Sequence, residues 1–532
     1  MNRFSRIITA GTAALLSIAI LAGCSSGKSG SRGTFVRLEP DPFSVRAAEE
    51  TAVDIISYDM DLTLDTDHDR LMQIVKMKVR NNTDEDAETV YLRYDPLGYF
   101  DYAAKEHPER KTENEGKRAE LVSVKTEDSD AELPLEYGME NTSVRIRLGD
   151  AALRPGEEGI IITESWTDIP AGEERFSLVE REEGKLYQLA FCYPHVECSM
   201  DGRWVVDPPT FDEGENRNPA LADYTITIHA PEEYEIAAPG SKERSGSTAT
   251  FSIEHARDIA VVVSNFMGVD TFETQGVTVS SYYLQTKAQD DYRELERQFI
   301  TDAIAGFSNR YGSFPRDRMA VVEGTDGGME YSGLVTVDGI PFLNQKSEDY
   351  NKTFRNTVHE IGHAWFYDCM GNIEYREGWI DEGFVSFASN DDILMMDCRS
   401  YEMLRQYSKK NPDVKEYTSA RNSVMKMNEK AIKNYAGYYI NEPRDVHDAE
   451  GAPGTKEYVY APLFLRQARE IMGDEAFFAC LKDVYHTCIW KTADTKGILE
   501  IFRMHDSSDK FSELIRFYFT EPFQAGMDPN GN

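Results

Sequence analysis

Residues 359–384 read HEIGHAWFYDCMGNIEYREGWIDEGF. The approach, YNKTFRNTV, carries no proline, and Phe354, Val358, Ile361, Trp365 and Phe366 recur at helical spacing, so a helix is expected to run through the two histidines. On a helix His359 and His363 are one turn apart and project from the same face, their side chains roughly 5–6 Å apart, as two ligands of one ion must be. Zinc suits imidazole, and a catalytic zinc takes three protein ligands with one position left for water. Glu360, beside the first histidine, is placed to take that water's proton without being a ligand. Such a pair also arises by chance on a surface or in a satisfied core; the segment EGWIDEGFVSFAS (377–389) changes the balance. It opens a second helix, and a carboxylate there, packed against the first helix, closes a three-ligand set. Eighteen residues separate His363 from Glu382, while Glu377 and Asp381 compete for the role on chemistry alone.

Outward from this stretch, the chain has two textures. From about Asp54 to Val279 it keeps returning to period two: VKMKVR (75–80) sets Val75, Met77 and Val79 against Lys76, Lys78 and Arg80, and SVRIRL (143–148), DYTITIH (223–229) and VTVSSYYL (277–284) repeat the device. Charged, turn-rich stretches such as RNNTDEDAE and RPGEEG separate them, the pattern of antiparallel sheets with one wet face. After Gln285 the period lengthens. DDYRELERQFITDAIAGFSNRYG (290–312) is an amphipathic helix pattern, and helices alternate with loops up to SELIRFYF (512–519). The class is α+β, with a mainly β domain over 46–275 and a mainly helical one over 276–532.

Composition narrows the function. Lys+Arg 57 against Asp+Glu 93 gives a net charge of −36, which argues against a phosphate backbone or an anionic lipid surface as partner, so no nucleic acid is expected. Arg3 and Arg6 precede an apolar run from Ile7 to Leu21, and then Leu21-Ala22-Gly23-Cys24. This resembles a bacterial lipoprotein signal, implying a signal peptide over 1–23, lipidation of Cys24 and attachment to the outer side of the cell membrane, with residues 24–45 as a flexible tether. The six other cysteines show no metal-knuckle spacing and are expected as mostly buried free thiols, with a Cys192–Cys198 bridge left open. Nothing in the sequence fixes an oligomeric state.

The stretch 359–384 resembles the zinc signature of the aminopeptidase N family of gluzincin metallopeptidases, HExxH followed after eighteen residues by Glu in a W-x-x-E-G-F setting. The resemblance selects Glu382 as third ligand to one Zn2+ per chain, with Glu360 as general base. It implies a thermolysin-like catalytic domain behind an N-terminal saddle or sandwich of strands, to which YDMDLTL, ADYTITIHAPEEYEIAAPG and ARDIAVVVSNF are more weakly similar. GTDGGMEYSGLVTVDG (324–339) is similar to the family's Gly-x-Met-Glu-Asn exopeptidase motif, here Gly327, Gly328, Met329, Glu330 and Tyr331, with Tyr331 where the family has Asn. The motif implies an edge strand lying along the peptide, with Glu330 on its free amino group; a buried carboxylate facing an α-ammonium fixes which end can enter. EYVYAPLFLRQARE (457–470) resembles the segment that supplies a tyrosine to the tetrahedral intermediate. An ungapped match through PLFL puts Tyr458 in that role, with Tyr460 as the alternative. Gln188 falls where the family has a second amine-binding residue.

The resemblance covers most of residues 50–520. After IFRMHDSSDKFSELIRFYF no room is left for the large C-terminal helical domain many members carry, so an open cleft is expected. The expected function is a zinc aminopeptidase trimming peptides outside the membrane. Its rivals are a zinc endopeptidase or other hydrolase with an open cleft, and a non-catalytic surface lipoprotein that keeps the fold to bind a peptide.

Overall fold

The computed structural model describes residues 41–106, 114–209, 220–285, 290–338, 347–392, 439–442 and 456–520, with positions 399, 402, 403 and 406. Cys24, the leader and Cys398 lie outside the described residues.

The N-terminal half is built of strands, and the period-two segments are where they fall. A seven-stranded sheet runs in the order Ser241–Ser245, Thr248–Ala256, Ala222–His229, Asp54–Asp65, Arg70–Arg80, Glu158–Asp168, Ala119–Thr126. Every neighbour pair is antiparallel except Asp54–Asp65 with Ala222–His229, which run parallel with Tyr58 opposite Tyr224, their rings stacked 4.5 Å apart. In Arg70–Arg80 the residues Leu71, Val75, Met77 and Val79 are buried while Lys76 and Arg80 face solvent, since alternate side chains leave a strand on opposite faces.

A second, four-stranded sheet has the order Glu235–Ala237, Ala260–Ser264, Lys185–Ala190, Phe176–Glu180. Its strand AVVVS is buried throughout. Val261 and Val263 join Tyr187 and Leu189 in the core beneath the seven-stranded sheet. Ala260 and Val262 join Leu186 and Ala190 in a separate cluster with Tyr282, Leu284, Val322, Met329 and Tyr331. This sheet is therefore the layer between the two halves, and a continuous apolar run is what burial on both faces demands.

The second half opens with a five-stranded sheet ordered Met267–Thr274, Val277–Leu284, Arg318–Gly324, Leu334–Asp338, Met329–Tyr331. Helices Asp290–Arg310 and Ser347–Gly362 cover its other face, where Val279, Val321, Val335 and Val337 meet Phe299, Ile300, Ile304, Phe307, Phe354 and Val358. Burying each such side chain stabilises the fold by about 1.5–3 kcal/mol relative to leaving it exposed. Four further helices, Ala461–Met472, Asp474–Cys488, Thr495–His505 and Asp509–Tyr518, complete this core. The last two start on side-chain caps, Asp494 on the Gly497 N–H (2.7 Å) and Ser508 on the Phe511 N–H (3.2 Å). Among the described residues no helix is long and apolar enough to cross a membrane. Cys192 and Cys198, left open as a pair by the sequence, are both free and buried.

Candidate metal centre

The helix Ser347–Gly362 is held by close packing at its end: a Cβ on Gly362 would come within 2.7 Å of the Phe307 ring. Helical geometry is lost at Phe366 and Tyr367, rather than continuing through Trp365 and Phe366 as their spacing suggests. The break is used. The Phe366 carbonyl lies 3.2 Å from His363 Nδ1 and accepts its proton, which leaves Nε2 with a free lone pair. Ser389 Oγ lies 3.5 Å from Nδ1 of His359.

The two Nε2 atoms face one another at 3.3 Å, and the Glu382 carboxylate completes the set at 3.1 Å from His359 Nε2 and 3.8 Å from His363 Nε2. Donors bound to one tetrahedral ion at about 2.0–2.1 Å are separated by about 3.3 Å, so this arrangement fits zinc. The charge states fit too. Burial pushes His363 down to about 4, keeping its imidazole neutral near pH 7. Burial opposes ionisation of Glu382, but His359 and His363 and the hydrogen bonds from His359 and Tyr458 outweigh it and hold the carboxyl at about 2. Two imidazoles and one carboxylate are a catalytic rather than a closed structural ligand set.

The chemically equivalent acids nearby are turned away. The Asp381 carboxylate accepts the Glu382 backbone N–H, and Glu377 Oε2 accepts the N–H of Thr495 at 2.9 Å. Glu382 is aimed by a tight crossing: a Cβ on Gly383 would lie 2.3 Å from the Cβ of Ala461, so the segment carrying Glu382 and the helix start Ala461 approach almost backbone to backbone. The same approach brings Tyr458, just before that helix, to the cage, where its hydroxyl donates to Glu382 Oε1 at 2.7 Å. Tyr460 points into the core against Tyr518.

Glu360 is buried beside the ligands. Burial, with the Glu382 and Asp326 carboxylates, pushes it up to about 8 against the pull of His359 and Arg175. A cation in the cage would lower it again, towards the range of a working base. Gly328 makes room for it: its φ is +102°, and a Cβ there would stand 2.8 Å from Glu360 Oε1. Gly327, φ +89°, gives its carbonyl to Asn356 Nδ2 at 2.7 Å, which fastens this loop to the helix one turn before His359. Met329–Tyr331 then forms the outermost strand of the five-stranded sheet among the described residues, with Glu330 opposite Val335. Glu330 is 3% exposed, and its Oε2 lies 3.8 Å from His363 Nε2. Met329 and Tyr331 turn the other way, into the cluster between the halves, where Tyr331 packs 5.7 Å from Phe191.

Gln188 is drawn into the scaffold. Its Oε1 accepts the Thr325 N–H at 2.7 Å and its Nε2 donates to the Glu174 carbonyl at 2.7 Å, so it supports the loop leading to Gly327 with both ends of its amide. Four residues that no motif marks also bear on the site: Asp326 and Arg175, whose charges act on Glu360, and the pair Arg257–Asp258, which bonds the segment after His363. The last pair carried a signal: in ARDIAVVV two charged side chains stand at the edge of an apolar run, and a buried charge needs partners.

Residues 295–518 match the Peptidase family M1 domain. Aminopeptidase N of Bos taurus is 30% identical over 138 residues, 24% of this chain and 14% of that protein. A protein of Encephalitozoon cuniculi named "Probable M1 family aminopeptidase 2" is 24% identical over 212 residues, 36% of this chain and 24% of its own. The chain thus spans no more than about a quarter of the length of either relative. A solved M1 zinc metallopeptidase of Deinococcus radiodurans, bound to a Tyr-Ser-Ala substrate, aligns with TM-score 0.55 over 88% of this chain and 94% of its own at 15% identity, a likeness of fold.

Proposed function

We propose, from the match of residues 295–518 to the Peptidase family M1 domain, that this protein is a zinc aminopeptidase that removes the N-terminal residue of peptides. The observation that carries the reading is the pairing of the three-ligand set with a second buried carboxylate, Glu330, which sits on the outermost strand of its sheet among the described residues with its Oε2 3.8 Å from His363 Nε2. An edge strand offers unpaired backbone groups to an extended peptide, and a carboxylate at its middle meets the peptide's α-ammonium. That sets the first residue, and no later one, against the reacting groups.

His359, His363 and Glu382 would hold a zinc ion, which when bound would supply a Lewis acid for the scissile carbonyl and lower the pKa of water. Glu360 takes the proton of the attacking water and hands it to the departing amine. Tyr458 donates a hydrogen bond from its hydroxyl to the oxyanion as it forms. Gly328 lets the motif's backbone run close to Glu360 without a side chain between them. The Cys24 signal supports a lipid anchor and action outside the membrane, with peptides as the substrate class.

The test is turnover of aminoacyl fluorogenic amides beside their N-acetylated counterparts, with and without a chelator. Free amides are cleaved and acetylated ones spared, and chelation stops the reaction; equal turnover of both would remove Glu330 from its role.

A further inference from the structure

We propose that Asp258, a residue of the N-terminal β half, is a positioning residue for the exopeptidase reaction: it fixes the strand that carries Glu330 against the segment that follows His363. The inference rests on the reading of Glu330 as the amine anchor.

One carboxylate holds both sides. Asp258 Oδ1 accepts the backbone N–H of Ser332 at 2.9 Å, two residues beyond Glu330. Its Oδ2 accepts the hydroxyl of Tyr367 at 2.8 Å, four residues beyond His363. Tyr367 in turn lies edge-on to the His363 ring, centroids 6.3 Å apart. The neighbouring Arg257 repeats the pattern: its N–H donates to Ser332 Oγ at 2.8 Å, and its guanidinium donates to the carbonyls of Tyr367 (2.9 Å), Asp368 (3.1 Å) and Lys491 (2.8 Å). Gly371 is the residue that admits that guanidinium, since a Cβ there would lie 2.1 Å from Arg257 Cζ. Asp368, clamped by Arg316, closes the loop by accepting the Gly333 N–H at 3.2 Å.

Arg257, Asp258, Ser332, Tyr367 and Asp368 are each no more than 2% exposed. Ion pairs and polar groups buried this deeply gain little stability over apolar residues of the same volume; what they add is a fixed geometry, because each donor accepts only one arrangement of partners. Here the fixed quantity is the offset between Glu330 and the ligand pair, the distance that decides which peptide bond meets Glu360. A misplacement of about 1 Å in such an offset costs on the order of 10²-fold in rate.

The experiment compares Asp258→Ala, Asp258→Asn and Tyr367→Phe with wild type for zinc content, thermal unfolding, and kcat and KM on an aminoacyl amide and its N-acetylated form. Tyr367→Phe keeps the ring and removes one bond, so it reports even if Asp258→Ala does not fold. Expected are full zinc content, kcat on the free amide lower by roughly 10-fold in Tyr367→Phe and roughly 100-fold in Asp258→Ala, and a narrowed ratio of free to acetylated turnover in both. Asp258→Asn, which can still accept from Ser332 and donate to the Tyr367 oxygen, restores the ratio. Folded, zinc-loaded variants that keep the wild-type ratio, or that lose turnover on both substrates in equal proportion, would overturn the proposal while leaving the aminopeptidase reading intact. Wild-type protein indifferent to acetylation would sink that reading, and this proposal with it.

Discussion

The Tyr458 hydroxyl donates to Glu382 Oε1 at 2.7 Å while its ring lies 6.5 Å from that of His359. A phenol held at the ligand cage is within reach of any oxygen that develops charge there, and its contribution is made only in the transition state. Tyr458→Phe should therefore lower kcat by about 10²–10³-fold with KM little changed. Zinc content should stay near wild type, because Glu382 keeps its place opposite both histidines. Tyr460→Phe, in the core against Tyr518, should leave kcat near wild type; the reverse result in steady-state kinetics would transfer the role to Tyr460.

Glu330 should act on recognition of the free amine rather than on bond breaking in general. A charge-assisted hydrogen bond to a buried carboxylate contributes about 1.5–3 kcal/mol, so Glu330→Ala should lose roughly 10- to 150-fold in kcat/KM on free aminoacyl amides. Acetylated substrates, which carry no ammonium, should change little. An equal loss on both would make Glu330 a structural acid.

These assignments differ in how far they were written in the sequence. The strands were legible because a sheet with one wet face must alternate, as Val75, Met77 and Val79 do against Lys76 and Arg80. The histidine pair was legible because one helical turn places both rings by itself. The third ligand was not fixed by chemistry: Glu377, Asp381 and Glu382 differ only in direction, and direction comes from Thr495, from the Glu382 N–H and from the Gly383–Ala461 crossing. Asp258 stayed hidden for the same reason, since its partners Ser332 and Tyr367 lie 74 and 109 residues away.

Removing single acids should sort the ligands from their neighbours. Glu382→Ala and His363→Ala should lose zinc on dialysis against a weak chelator that leaves wild type loaded. Glu377→Gln should keep it, its carboxylate being spent on Thr495. Glu360→Gln should also keep zinc yet lose about 10²–10⁴-fold in turnover, the range of a general base. Metal analysis beside kinetics gives both numbers on one sample; zinc loss from Glu360→Gln would make Glu360 a ligand.

Gly327 and Gly328 both stand at positive φ, +89° and +102°, but only Gly328 faces a catalytic group. Alanine at either position should cost about 1–3 kcal/mol of stability through backbone strain. Gly328→Ala must in addition displace the Glu360 side chain, 2.8 Å from the new Cβ, whereas nothing lies within 4 Å of a Cβ on Gly327. The two variants should therefore lose similar melting temperature, while kcat falls at least about 10-fold further in Gly328→Ala. Equal kcat in the two would mean that Glu360 moves aside without consequence.

Asp258 also predicts a stability signature that is separate from catalysis. Burial is the main cause that raises its carboxyl from the ordinary 3.8 to about 6. With the folded value above the unfolded one, the folded chain holds the proton more tightly, so the contribution is fully present below about pH 4 and is lost as pH rises through about 6. The interval of roughly two pH units corresponds to about 3 kcal/mol. Asp258→Asn presents a similar shape and cannot ionise, so it should remove this slope. The difference in melting temperature, variant minus wild type, should rise between pH 4 and 6 and level off above; a difference that stays flat across that window would show that Asp258 remains ionised in the folded protein and that its two hydrogen bonds outweigh its burial.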